Sequence, residues 1–104
     1  MQVKNIELST HQISEFCQHW QITEFALFGS VLRDDFRSDS DIDVLVTFSP
    51  EAHYTLFDLV HIENELKEIF QRDVDLVSRR GIERSLNYLR RNEILSSAQT
   101  IYAA

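Results

Sequence analysis

Residues 28–46 read FGSVLRDDFRSDSDIDVLV, and the fold turns on how that stretch is parsed. The apolar run Phe25-Ala26-Leu27-Phe28 suits a short buried strand, and Gly29-Ser30 breaks it. A polar segment carrying Arg33 and Arg37 follows, and Asp39, Ser40, Asp41, Ile42 and Asp43 then lead into Val44-Leu45-Val46. Side chains alternate faces along a strand, so Asp41 and Asp43 point one way while Ile42, Val44 and Val46 point the other. Two carboxylates so close repel each other and resist burial unless a cation lies between them. Hard divalent cations such as Mg²⁺ take carboxylate oxygens and keep positions open for substrate phosphates.

Gly29-Ser30 supplies the complementary part. Where a strand gives way to a helix, free backbone N–H groups and the helix dipole favour a phosphate. A triphosphate held at one end by Gly29-Ser30, and at the other by metal on Asp41 and Asp43, is an arrangement for nucleotidyl transfer.

This ordered set resembles the signature of the nucleotidyltransferase superfamily that includes DNA polymerase β and kanamycin nucleotidyltransferase. Within it, the chain looks like the minimal nucleotidyltransferases, the antitoxin halves of HEPN/MNT toxin–antitoxin pairs. The family pattern is Gly-Ser, an arginine-rich stretch, Ser-Asp-x-Asp before apolar residues, and a third Asp on a later strand. Here the matching residues are Gly29, Ser30, Arg33, Arg37, Ser40, Asp41 and Asp43, and then Asp75 within Val74-Asp75-Leu76-Val77. The resemblance spans nearly the whole chain. One departure is Asp34, where members often carry Gly. Its charge either weakens a nearby phosphate site or faces solvent.

The resemblance implies an α/β nucleotidyltransferase fold, a small mixed sheet flanked by helices, over one domain at residues 1–104. It implies Asp41, Asp43 and Asp75 as catalytic residues that bind two Mg²⁺ ions, with Gly29, Ser30, Arg33 and Ser40 binding the nucleotide. The implied reaction moves AMP from ATP to a protein hydroxyl, a tyrosine of a HEPN-domain ribonuclease toxin, within a possible hetero-oligomer. Two alternatives stand beside it. One is an antitoxin that occludes its toxin without catalysis, and the other is transfer to a small molecule.

Composition sets the outer bounds. At 104 residues and 43% hydrophobic, the chain has material for one core. A net charge of −7 repels nucleic-acid backbones and argues against a polymerase, so no direct nucleic-acid binding is expected. Cys17 is the only cysteine, which excludes an intramolecular disulfide and fits a cytoplasmic address. No apolar stretch is long enough to span a bilayer.

Several bland readings hold. Counting a calcium loop from Asp39 puts Val44 where Gly is needed and Pro50 where a bidentate Glu is needed, so that reading fails. His11, His19, His53 and His61 lack zinc-site spacing. For Arg33 and Arg37, a surface ion pair to Asp34, Asp35 or Asp39 is as good an account as a phosphate contact.

Periodicity predicts the remaining elements. A helix capped by Ser9 or Thr10 runs to about Trp20, with Ile13, Phe16, Cys17 and Trp20 on one stripe. Strands are expected at 24–28, 41–48 and 73–77, with a short helix starting at Ser30 and a loop at 36–40. A helix over 54–70 presents Leu56, Leu59, Val60, Leu66, Ile69 and Phe70 as its apolar face, with Glu63 at the edge. Its carboxylates, Asp58, Glu63, Glu65 and Glu68, read as a solvated face. A last helix over 83–98 offers Leu86, Leu89, Ile94 and Leu95 for packing, and Ile101-Tyr102 form a short tail.

Overall fold

The computed structural model describes residues 2–104. A two-stranded hairpin, β1 (Gln2–Val3) and β2 (Ile6–Glu7), leads into α1 (Thr10–His19). The Ser9 hydroxyl accepts the Gln12 N–H and starts that helix, while Ile13, Phe16 and Cys17 are buried. β3 (Ile22–Phe28), a 3₁₀ turn at Gly29–Leu32 and β4 (Ile42–Phe48) follow. Then come α2 (Leu56–Phe70), β5 (Val74–Ser78), α3 (Arg79–Glu83), α4 (Tyr88–Ser97) and β6 (Gln99–Ala103).

The main sheet has the order β5-β4-β3-β6. β4 and β5 run parallel, joined by the crossover helix α2, and the other pairs are antiparallel. The sheet is therefore mixed and flanked by helices, as the family resemblance implies. Alternation divides it into two faces. Phe25, Leu27, Ile42, Val44, Val46 and Val74 pack with Ile13, Phe16 and Cys17 of α1 and Ile62 and Leu66 of α2. Ala26, Phe28 and Leu45 pack with Ile82 of α3 and Ile94 of α4. Asp43 and Asp75 share strand parity with Leu45 and Val77, which places them on the α3–α4 side.

Expectations for four elements need correction. The helix expected from Ser30 is a single 3₁₀ turn, because Arg33 already returns to extended backbone. The helix expected over 83–98 starts only at Tyr88, as α4, and a separate short helix, α3, ends at Glu83. Ser78 caps α3 and Asn87 caps α4, so the chain breaks at residues 84–87. The tail is a strand, β6, paired along β3. The apolar stripe of α2 is also rotated from the expected one. Ile62 and Leu66 are fully buried, whereas Leu56, Phe57 and Val60 are exposed, Phe57 to 87%. Leu56 and Val60 border a depression of about 420 Å³ with Val46, Phe48, Leu59 and Leu76. Likewise Leu86 and Leu89 are exposed, and only Ile94 of that group is buried. Periodicity marks which residues share a stripe, but α2 is apolar around much of its girth, so the sheet chooses the face.

The carboxylates of α2 are not all solvated. Asp58 completes a reciprocal capping box with Thr55, and Glu65 accepts the Trp20 indole N–H at 2.6 Å. Trp20 also meets Tyr54 edge to face, and the Tyr54 hydroxyl donates to the Trp20 carbonyl at 2.6 Å. Among the described residues, no helix is long and apolar enough to cross a membrane.

Candidate active site

The site lies where β3 ends and β4 and β5 begin. In the sheet register Phe28 faces Asp43, and Asp43 faces Asp75, so three adjacent strands bring their functional positions into one row. Gly29 follows directly after Phe28. Its φ of +75° is a left-handed conformation that glycine adopts without strain. A β-carbon at this position would lie 2.1 Å from Asp43 Oδ2. Glycine is required here twice, for its backbone angle and for the room it leaves a carboxylate.

The electrostatics follow from that crowding. Burial, then the charges of Asp75 and Asp41, push the Asp43 carboxyl up to about 6, while Arg33 and Arg90 pull it back down. Asp41, just ahead of β4, and Asp75 are exposed, and Asp43 is half-buried between the strands. Asp75 Oδ2 lies 3.9 Å from Arg90 Nη2. Among the described residues, no three His, Cys, Asp or Glu side chains converge closely enough to enclose an ion as they stand. The donor set nevertheless suits a hard divalent cation. It is all carboxylate, its members repel one another, and its central member is held partly out of water.

The phosphate-side residues are held by contacts that sequence reading did not supply. Asn5 Nδ2, in the β1–β2 turn, donates to the carbonyls of Val31 and Arg33 at 2.6 and 2.8 Å and clasps the 3₁₀ turn. Lys4 Nζ pairs with Asp34 at 2.8 Å, so the unusual Asp34 faces solvent and is 93% exposed. Arg33 Nε pairs with Asp35 at 3.1 Å. Ser40 Oγ accepts the Arg37 N–H at 2.9 Å, closing the turn before Asp41 and leaving its own hydrogen free to donate. Arg72 stacks on Phe36, and its Nη1 lies 2.9–3.1 Å from the carbonyls of Arg37, Ser38 and Ser40. That guanidinium fixes the loop that delivers Asp41.

A family model for the nucleotidyltransferase domain matches residues 11–101. The chain belongs to that family. As a nucleotidyltransferase it is 30% identical over 76 residues to protein adenylyltransferase MntA of Thermococcus cleftensis, covering 73% of this chain and 74% of the relative. A solved structure provisionally described as a minimal nucleotidyltransferase superposes with a TM-score of 0.68 at 30% identity, over 88% of each chain. The fold also matches, with a TM-score of 0.60 at 18% identity, a chain in a solved complex. That complex holds tri-AMPylated HEPN toxin from Shewanella oneidensis with MNT antitoxin, and the match covers 91% of this chain and 70% of that one.

Of the residues that the sequence singled out, Gly29, Asp43 and Asp75 are brought together by register and close approach, and Asp41 acts on Asp43 through its charge. Ser30 follows in the same turn, and Arg33 reaches the site by its field. Arg90 was not foreseen. Its only sequence signal is a place in the first turn of a helix, and that cannot say which residue a helix turns toward the sheet.

Proposed function

We propose that this nucleotidyltransferase moves AMP from ATP to a tyrosine hydroxyl of a HEPN-domain toxin, with Mg²⁺ held by Asp41, Asp43 and Asp75, and so neutralises the toxin. The observation that carries the chemistry is the row formed by Gly29, Asp43 and Asp75, where a left-handed glycine turn lies directly against mutually repelling carboxylates. The acceptor is supported by the T. cleftensis relative, named for protein adenylylation, and by the fold shared with an antitoxin crystallised beside an AMPylated HEPN toxin.

Within this reading, the N–H groups of the Gly29-Ser30 turn and the Ser30 hydroxyl hold the terminal phosphates, with Arg33 and the Ser40 hydroxyl alongside. Asp41, Asp43 and Asp75 would hold the divalent metal, which would supply positive charge to offset that building on the phosphates. Asp75, the exposed outer carboxylate, orients the acceptor hydroxyl and takes its proton. The acceptor oxygen bonds to the α-phosphorus, the bond from that phosphorus to the bridging oxygen breaks, and pyrophosphate leaves. Positioning and charge stabilisation supply most of the rate.

The test is incubation of the protein with Mg²⁺, α-labelled ATP and the product of the adjacent gene. Label on that protein, absent with Asp43→Asn, is the expected result. A second reading, occlusion without transfer, draws on the exposed Leu56, Phe57, Leu86 and Leu89, which a bound partner would cover. A tight complex with no label would replace the first reading with the second.

A further inference from the structure

Asn87 caps α4 by accepting the Arg90 N–H at 3.1 Å, and this fixes the register of the helix from its first turn. Ile94, four residues after Arg90, is buried against Ala26, Phe28 and Leu45. Residues i and i+4 share a helix face, so Arg90 projects toward the same sheet surface, one turn nearer the carboxylates. There it stands 3.9 Å from Asp75 and pulls down the proton affinity of Asp43.

Among the described arginines, Arg33 and Arg90 are the two whose charge acts on Asp43, and Arg90 is the one beside Asp75 with donors to spare. Arg79 is bound to Glu24 at 2.9 Å and to Thr47, Arg72 to three loop carbonyls, and Arg33 to Asp35, while Arg91 lies over the Tyr88 ring. The guanidinium of Arg90 has five N–H donors, and its one partner among the described residues, Asp75, lies beyond direct hydrogen-bond range. Its side chain is 54% exposed. Charge matching alone would draw Arg90 into full contact with Asp75. The 3.9 Å separation leaves a forked, permanently charged group beside the carboxylate row with donors to spare.

We propose that Arg90 is a catalytic residue whose guanidinium contacts a non-bridging oxygen of the α-phosphoryl group during transfer. This rests on the nucleotidyl-transfer reading above. When Asp75 engages the incoming hydroxyl, its attraction for Arg90 weakens, and the unengaged donors meet charge growing on the phosphoryl oxygens. Arg90 then acts on the α-phosphoryl group from α4, while the Gly29-Ser30 turn holds the terminal phosphates. A lysine cannot replace it fully, because an ammonium lacks the planar fork that matches two phosphoryl oxygens.

The experiment compares wild type, Arg90→Ala and Arg90→Lys in two measurements. One is the transfer rate at saturating nucleotide and acceptor. The other is calorimetric affinity for an ATP analogue with a methylene α–β bridge, measured with Ca²⁺. Arg90→Ala is expected to slow transfer about 100-fold, the scale for removing one charge-stabilising donor. Its analogue affinity should fall several-fold, and Arg90→Lys should recover less than a tenth of the lost rate. The melting temperature should stay within about 2 °C of wild type, since Arg90 is exposed and alanine suits a helix. Arg90→Ala with unchanged rate and affinity would overturn the assignment. So would a loss that tracks lowered melting temperature in both variants while affinity holds. If wild type itself transfers nothing, the transferase reading falls, and the affinity comparison still decides for or against Arg90 as a phosphate ligand.

Discussion

Gly29 and Asp43 occupy space that only a glycine allows them to share. The carboxylate of Asp43 stands where a β-carbon on residue 29 would be, 2.1 Å from Oδ2, and the backbone there is left-handed. Gly29→Ala therefore meets two obstacles, a strained φ of about 1–2 kcal/mol and a displaced carboxylate. Transfer should fall at least 100-fold, since a shift of about 1 Å in a reacting group has that effect. Stability should fall by about 1–3 kcal/mol in urea melts. A variant with wild-type turnover would show that Asp43 needs no fixed place.

The raised Asp43 carboxyl makes stability depend on pH. Its folded affinity for a proton lies above the ordinary 3.8, at about 6, so folding is favoured by the protonated form. That contribution is present below the ordinary carboxylate range and is lost as pH rises through about 6. In chelator, Asp43→Asn should gain on wild type in melting temperature between pH 4.5 and 7, with the difference levelling off above. A difference that stays flat with pH would remove burial and Asp75 as the causes of the shift.

Adding Mg²⁺ should reverse that ranking near pH 7.5. Wild type, with its full carboxylate row, should gain melting temperature with increasing metal, following RT ln(1 + [L]/Kd). Asp43→Asn should gain much less. Equal gains in both proteins would place the bound ion elsewhere.

Asp34 is exposed and paired with Lys4, which holds its carboxyl below the usual range through a hydrogen bond and charge. It is not among the groups that act on Asp43. Asp34→Gly should leave nucleotide affinity within about twofold, because a solvated surface charge is well screened. A tenfold tightening would return Asp34 to the phosphate site.

Trp20 and Glu65 tie α1 to α2 through one hydrogen bond of 2.6 Å. A double-mutant cycle with Trp20→Phe and Glu65→Ala should give a coupling of about 1–2 kcal/mol, the range for a half-buried bond to a charged acceptor. Coupling near zero would mean that water replaces the pair at no loss.

Local chemistry made much of this protein legible in its sequence. A period of two places Asp41 and Asp43 on one face, Ser9 announces α1, and Asp75 gains meaning from the carboxylates before it. These patterns reach only a few residues along the chain, and nearby residues set them whatever the rest does. The row of Gly29, Asp43 and Asp75 is different, because it exists only through strand register between segments far apart in sequence. Tertiary packing also decided that Ile62 rather than Val60 faces the sheet and that the chain end closes its edge as β6. The same packing turned Arg90 toward Asp75 and set Asn5 and Arg72 to hold the two loops that carry the site. An apolar period marks a stripe, but which way that stripe turns depends on surfaces that meet only when the chain has folded.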